Sequence, residues 1–117
     1  MTSSKHILEL NKKDDKYAVI FTSKLNISAA DYEFVANKMI DLVQNQKGFM
    51  GVESVRGSDG FGITISYWKS LEDIKQWKLN EEHLKAQKLG REKWYSYFSI
   101  CICRIEREYR SENEGKK

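Results

Sequence analysis

The segment from Tyr95 to Tyr109 is apolar on both sides of a strand: Phe98, Ile100 and Ile102 alternate with Cys101, Cys103 and Ile105. Successive strand residues point to opposite faces, so a strand with one face in water is apolar only at every second position. Tyr17 to Leu25 repeats the pattern, with Val19, Phe21 and Leu25 on one side and Ala18 and Ile20 on the other. A sheet built from these two runs needs cover on both faces. The chain has 117 residues and no proline. That length suits one domain, and its turns and helix ends fall to Gly, Asn, Asp and Ser.

The remaining periodicities complete the sheet. Phe49 to Arg56 and Phe61 to Trp68 are strand-like runs joined by Gly57-Ser58-Asp59-Gly60, a hairpin signal. Ser28-x-x-Asp31 reads as a capping box with Asp in place of Glu. The helix it opens sets Tyr32, Val35, Ala36, Met39, Ile40, Leu42 and Val43 on one arc, leaves Phe34 among the charged positions, and stops at Gly48. Ser70-x-x-Asp73 starts a second helix carrying Leu71, Ile74 and Trp77, and Asn80 to about Lys93 is a further helical piece with Gly90 as its break. The order strand, helix, strand, strand, helix, strand predicts an α+β fold with a ferredoxin-like βαββαβ antiparallel sheet. Its helices cover one face. The simplest cover for the other is the same face of a second copy, giving a homodimer closed sheet against sheet. The domain is expected over residues 17–109, with residues 1–16 a loose extension and 110–117 a polar tail. No apolar run approaches the roughly 20 residues of a membrane span, and the N-terminus lacks a signal peptide's apolar segment. The expected location is cytoplasmic, with no membrane partner.

Charge and motifs exclude several functions. The surplus of +3 is dispersed along the chain, which gives nucleic acid no basic patch. Asp59-Gly60-Phe61-Gly62-Ile63-Thr64-Ile65 looks like an RNA-recognition signature, yet Asp59 stands where a cation meets phosphate, and Ile63 and Ile65 where rings stack on bases. Cys101 and Cys103 are expected as reduced, buried residues, since one C-x-C with only His6 and His83 elsewhere is a poor metal set. Hydrolase and kinase motifs are missing. What remains is the segment Glu82 to Trp94. As a helix it places His83, Leu84, Ala86, Gln87, Leu89, Gly90 and Trp94 on one arc, opposite Lys85, Lys88 and Glu92. An inward His83 with Gln87 one turn on is either a polar anchor in an apolar pocket or a core histidine satisfied by a backbone carbonyl. The aromatic residues Tyr67, Trp68, Trp77, Trp94, Tyr95 and Tyr97 are core, or walls for a flat aromatic molecule.

Taken together, YAVIFTS (17–23), GFMGVESVRGSDGFGITISYWKS (48–70), IKQWKLNEEHLKAQKLGREKWY (74–95) and RIEREY (104–109) resemble the antibiotic biosynthesis monooxygenase family, which is related to haem-degrading monooxygenases. The resemblance implies a ferredoxin-like subunit, a homodimeric α+β barrel, and a pocket between helices and sheet. It also implies monooxygenase chemistry on a flat, phenol- or quinone-like aromatic without a cofactor. For that chemistry His83 as base and Trp77 are the catalytic candidates, and Trp94, Tyr67, Gln87 and Arg91 the substrate-binding ones. Haem is the alternative cofactor. The haem-degrading relatives match at Trp77, but their ligating His falls at Gln87 and their first-strand Asn near Ile20, leaving His83 as the axial candidate. A non-catalytic dimeric binding module is the third reading.

Overall fold

The computed structural model describes residues 7–9, 15–26 and 32–112. In chain order the elements are β1 (Ile7–Glu9), β2 (Tyr17–Leu25), α1 (Tyr32–Val43), β3 (Phe49–Arg56), β4 (Phe61–Trp68), α2 (Leu71–Lys78), α3 (Glu81–Leu89), a π turn over Gly90–Trp94, β5 (Tyr95–Arg104) and β6 (Tyr109–Ser111). The main sheet is antiparallel, in the order β3-β4-β2-β5. The path β2–α1–β3 passes over β4, and the path from β4 through α2 and α3 to β5 passes over β2. This interleaving is the ferredoxin-like arrangement read from the sequence. Among the described residues no helix is long and apolar enough to cross a membrane.

The helix starts follow local chemistry. Ser70 Oγ accepts the Asp73 N–H at 3.0 Å and donates its own proton to Asp73 Oδ2 at 2.9 Å, which closes the cap of α2. Asn80 Oδ1 accepts from the N–H groups of Glu82 and His83 and so fixes where α3 begins. The Ser28 cap expected for α1 lies outside the described residues. Gly48, expected to stop α1, has φ +81, and a Cβ there would run into the Asp73 carboxylate. Gly48→Ala therefore combines a left-handed backbone with a steric conflict, and a loss of about 1–3 kcal/mol is expected in denaturant unfolding. An unchanged midpoint would mean that Asp73 moves aside freely. At Gly90 the expected break is instead a widening of the helix by one residue per turn. Its φ of −59 is helical, and glycine is needed because a Cβ would sit 2.7 Å from the Tyr95 ring.

The core is small. Val43, Trp68 and Ile74 are buried, with Tyr17, Val19, Phe49 and Trp77 packed around them. On the inner, helix-facing side, β2 aligns Val19 with Ser66 and Ile102, and Phe21 with Thr64 and Ile100. On the outer side Ile20 lies between Ile65 and Cys101, with Phe61, Ile63, Val55 and Tyr97 all exposed. The single chain leaves this apolar face open, which corrects the expectation for Cys101 and Cys103: both are free and exposed, because they belong to that face. Phe34 projects from α1 at 75% exposure, as its angular position predicts. Leu84, placed on the inward arc of α3, is exposed. Ile7–Glu9, within the segment read as a loose extension, pairs antiparallel with Tyr109–Ser111; a three-residue strand is too short for periodicity to reveal.

Candidate functional site

Between the sheet's inner face and the helices lies a cavity of about 460 Å³, within the range of small-molecule sites. Its sheet side carries Val19, Phe21, Val52, Thr64 and Ile100, and its helix side includes Val35, Met39 and Ile40 from α1. These positions follow from alternation on the strands and from the 3.6-residue period on α1. Ser54, Thr64 and Ser66 bring hydroxyls to the sheet side, and further polar groups gather at two places.

At the first, the corner between α2 and α3 brings two rings together. The His83 imidazole stacks on the Trp77 indole with centroids 4.2 Å apart and planes 15° from parallel. His83 Nδ1 lies 2.9 Å from the Trp77 carbonyl oxygen. A carbonyl only accepts, so Nδ1 carries the hydrogen, and the neutral ring keeps its lone pair on Nε2. Gln87 Nε2 donates to the Lys78 carbonyl at 3.0 Å, tying α3 back to α2. Its 3.5 Å approach to His83 Nδ1 sets donor against donor and is no bond. Burial holds the His83 pKa below its ordinary value; the bond to the Trp77 carbonyl opposes this, and the Lys78 charge adds to it. His83 is therefore neutral at pH 7, with a proton-accepting nitrogen in a residue that lines the cavity.

At the second, Trp94 meets Tyr32 edge-on at 5.4 Å and is 5% exposed. The Arg56 guanidinium lies 5.3 Å from the centre of the Tyr32 ring. It donates to the Tyr32 hydroxyl at 3.2 Å, to Ser23 Oγ at 2.8 Å, and to the carbonyls of Gly60 and Ser23. Burial raises the Tyr95 pKa, and the neighbouring Tyr32 raises it further, so the Tyr95 phenol stays protonated near neutrality. This cluster of Arg56, Ser23, Tyr32 and Tyr95 is missing from the sequence-derived set. Its signal was strand parity: Arg56 shares a face with Val52 and Ser54, and Ser23 with Val19 and Phe21. A charged residue on a core-facing position is informative.

Of the residues expected in the site, His83, Trp77, Gln87, Arg91 and Trp94 line this one cavity. Tyr67 does not. It follows Ser66, whose side chain faces the cavity, so alternation turns Tyr67 to the outer face, where its hydroxyl donates to Glu53 Oε1 at 3.0 Å. Ile20 is on that outer face too. Lys78, which is not among the residues expected in the site, lines the cavity as well. Among the described residues no cluster of His, Cys, Asp and Glu could hold a metal ion.

Comparison with known proteins agrees with this architecture. The family model described as antibiotic biosynthesis monooxygenase matches residues 28–89. YqjZ of Bacillus subtilis (strain 168), an uncharacterized protein, is 41% identical over 92 residues, covering 79% of this chain and 81% of that protein. Among solved structures, a conserved protein from Methanosarcina mazei Go1 superimposes with a TM-score of 0.68 at 11% identity, over 78% of this chain and 93% of that one. SnoaB, a cofactor-independent oxygenase from Streptomyces nogalater, gives a TM-score of 0.62 at 16% identity, over 76% and 90%. At such identities the structural likeness is one of fold, whereas the family match spans more than half of the chain's 117 residues. The chain belongs to the antibiotic biosynthesis monooxygenase family.

Proposed function

We propose that this protein is a cofactor-independent monooxygenase that binds a flat, phenol- or quinone-like aromatic molecule in the cavity, with His83 as the base. The observation that carries the reading is the bond from His83 Nδ1 to the Trp77 carbonyl, which leaves Nε2 as the proton acceptor. Family membership and the fold shared with SnoaB, an oxygenase that works without a cofactor, support it. His83 removes a proton from the substrate, and the resulting electron-rich anion reduces O₂. Two substrate hydrogens are replaced by one oxygen atom, and the second oxygen leaves as water with both hydrogens. The substrate thus supplies all four electrons that O₂ takes up, and no external reductant is consumed. Trp77 fixes the imidazole plane by stacking, Trp94 forms an opposing wall, and Gln87 and Arg91 are polar partners. The active unit is a homodimer closed through the apolar outer face, and the setting is cytoplasmic.

Haem is the competing ligand. The cavity offers it one imidazole donor, His83, which would hold the iron through Nε2, while Gln87 is engaged with the Lys78 carbonyl. Bound haem would supply oxygen activation at the iron.

The test combines ligand binding with oxygen uptake. Fused-ring phenols quench the fluorescence of Trp77 and Trp94 and drive O₂ consumption, and His83→Ala lowers that rate by about a hundredfold to ten-thousandfold. A rate indifferent to His83→Ala removes the base. Binding without O₂ uptake makes the protein a non-catalytic binding module. A stoichiometric Soret shift with haemin, lost in His83→Ala, moves the assignment to haem. The pH dependence has a defined sign. Because the folded His83 pKa lies below 6.5, the rate rises with pH through a midpoint under 6.5 and is level at neutrality. Stability follows the same direction: below pH 6.5 the unfolded chain takes up the His83 proton before the folded one does, so unfolding becomes easier until the folded value is passed. His83→Gln flattens this part of the stability curve.

A further inference from the structure

Among the described residues the cavity lining carries two cations, Lys78 and Arg91, and no Asp or Glu. Several carboxylates on the flanking elements are engaged elsewhere: Asp73 with Ser70, Glu82 with Lys38 at 3.5 Å, and Glu53 with Tyr67 on the outer face. Arg56 adds a third positive charge behind Tyr32, and the hydrogen bonds it makes go to neutral oxygens. A cleft with apolar walls concentrates the field of one-signed charges and selects ligands of opposite sign. Resting on the aromatic-cavity reading above, we propose that the molecule this site takes is an organic anion: a flat fused-ring body bearing a carboxylate, with the acid group held at one end of the cavity by Lys78 or at the other by Arg91.

The two cations bracket the base. Lys78 ends α2, and its charge is felt at His83. Arg91 lies eight residues beyond His83, about 12 Å along a helix axis. A ligand lying along α3 therefore has an anion anchor at either end, and its rings rest on the apolar sheet side between Phe21 and Ile100. The same cations serve the reaction. Once His83 has taken a proton, the substrate carries additional negative charge, and fixed positive groups at the cavity stabilise that state more than the neutral one. Ligand choice and the placement of developing charge then depend on the same two side chains.

The experiment is calorimetric titration with 2-naphthoate and 2-naphthamide, which share size and shape and differ in charge. At low ionic strength naphthoate binds at least about tenfold more tightly, and the ratio falls as salt rises. The Lys78→Gln/Arg91→Gln variant brings the ratio to about one, and these positions are exposed enough that folding is retained. Equal affinities in the wild-type protein, or a preference that survives both substitutions and high salt, overturn the proposal and leave the aromatic cavity standing. Failure of both probes to bind overturns the cavity reading on which the proposal rests.

Discussion

Trp68→Ala lowers the unfolding free energy by about 3–5 kcal/mol, a large fraction of the 5–15 kcal/mol or so that holds a domain of this size together. Trp68 is fully buried and joins three elements. Its ring meets Phe49 of β3 edge-on at 5.5 Å and stacks on Trp77 of α2 at 6.4 Å. Its Nε1–H reaches Ser66 Oγ at 2.9 Å, so truncation leaves both a void and an unpaired hydroxyl. Few other residues can make up the loss, since Ala18, Val43, Ile74 and Trp94 are the remaining buried apolar side chains of the described chain. The damage also reaches the site, because Trp77 is both the support of the His83 ring and the partner of Trp68. Denaturant unfolding measures the loss. Trp68→Phe, which keeps a ring in the space, retains more stability than Trp68→Ala, and a Trp68→Ala cost below about 1 kcal/mol would show that the core lies elsewhere.

The sheet and helix order were legible because each element carries its own period, and because Ser70, Asn80 and Gly48 mark boundaries by chemistry that acts within a few residues. His83, Gln87 and Trp94 could be assigned to one side for the same reason. The failures have physical causes as well. Tyr67 was grouped with the site by aromatic character, although strand parity with Ser66 sends it to the other face. Arg56 and Lys78 are not legible as cavity residues, because a lone charge next to a turn or a helix end carries no local mark of what surrounds it. Only the register, which sets Ser23 at Gly62 and Arg56 opposite that same Gly62, brings Arg56 onto Ser23 across β4. Cys101 and Cys103 were expected inside because both faces of β5 are apolar. That reasoning holds for an assembly with its outer face covered, whereas a single chain exposes them.

The assembly therefore decides the second large effect. Ile20 sits in the middle of the outer face, flanked by Ile65 and Cys101. If that face closes against its copy, Ile20→Asp places two carboxylates at the centre of a dry, two-fold interface. Each must be desolvated without a partner at a cost of several kcal/mol, enough to weaken dimerisation at least about a hundredfold. Sedimentation velocity reads this as conversion of a wild-type dimer into single subunits at micromolar concentration. Phe34→Asp is the control: it alters an exposed apolar residue on the helix layer and leaves the dimer intact, whereas dissociation by Phe34→Asp with a tolerated Ile20→Asp would place the contact on the helices. Thiol labelling gives an independent readout, because Cys101 and Cys103 share the outer face with Ile20. They react slowly with a maleimide in the wild-type dimer and rapidly in the Ile20→Asp protein. A wild-type chain that sediments as one subunit, with both thiols labelling at full speed, would mean that Ile20, Ile63 and Val55 face water in the working protein. The two-sided apolar pattern of β2 and β5 would then require another cause.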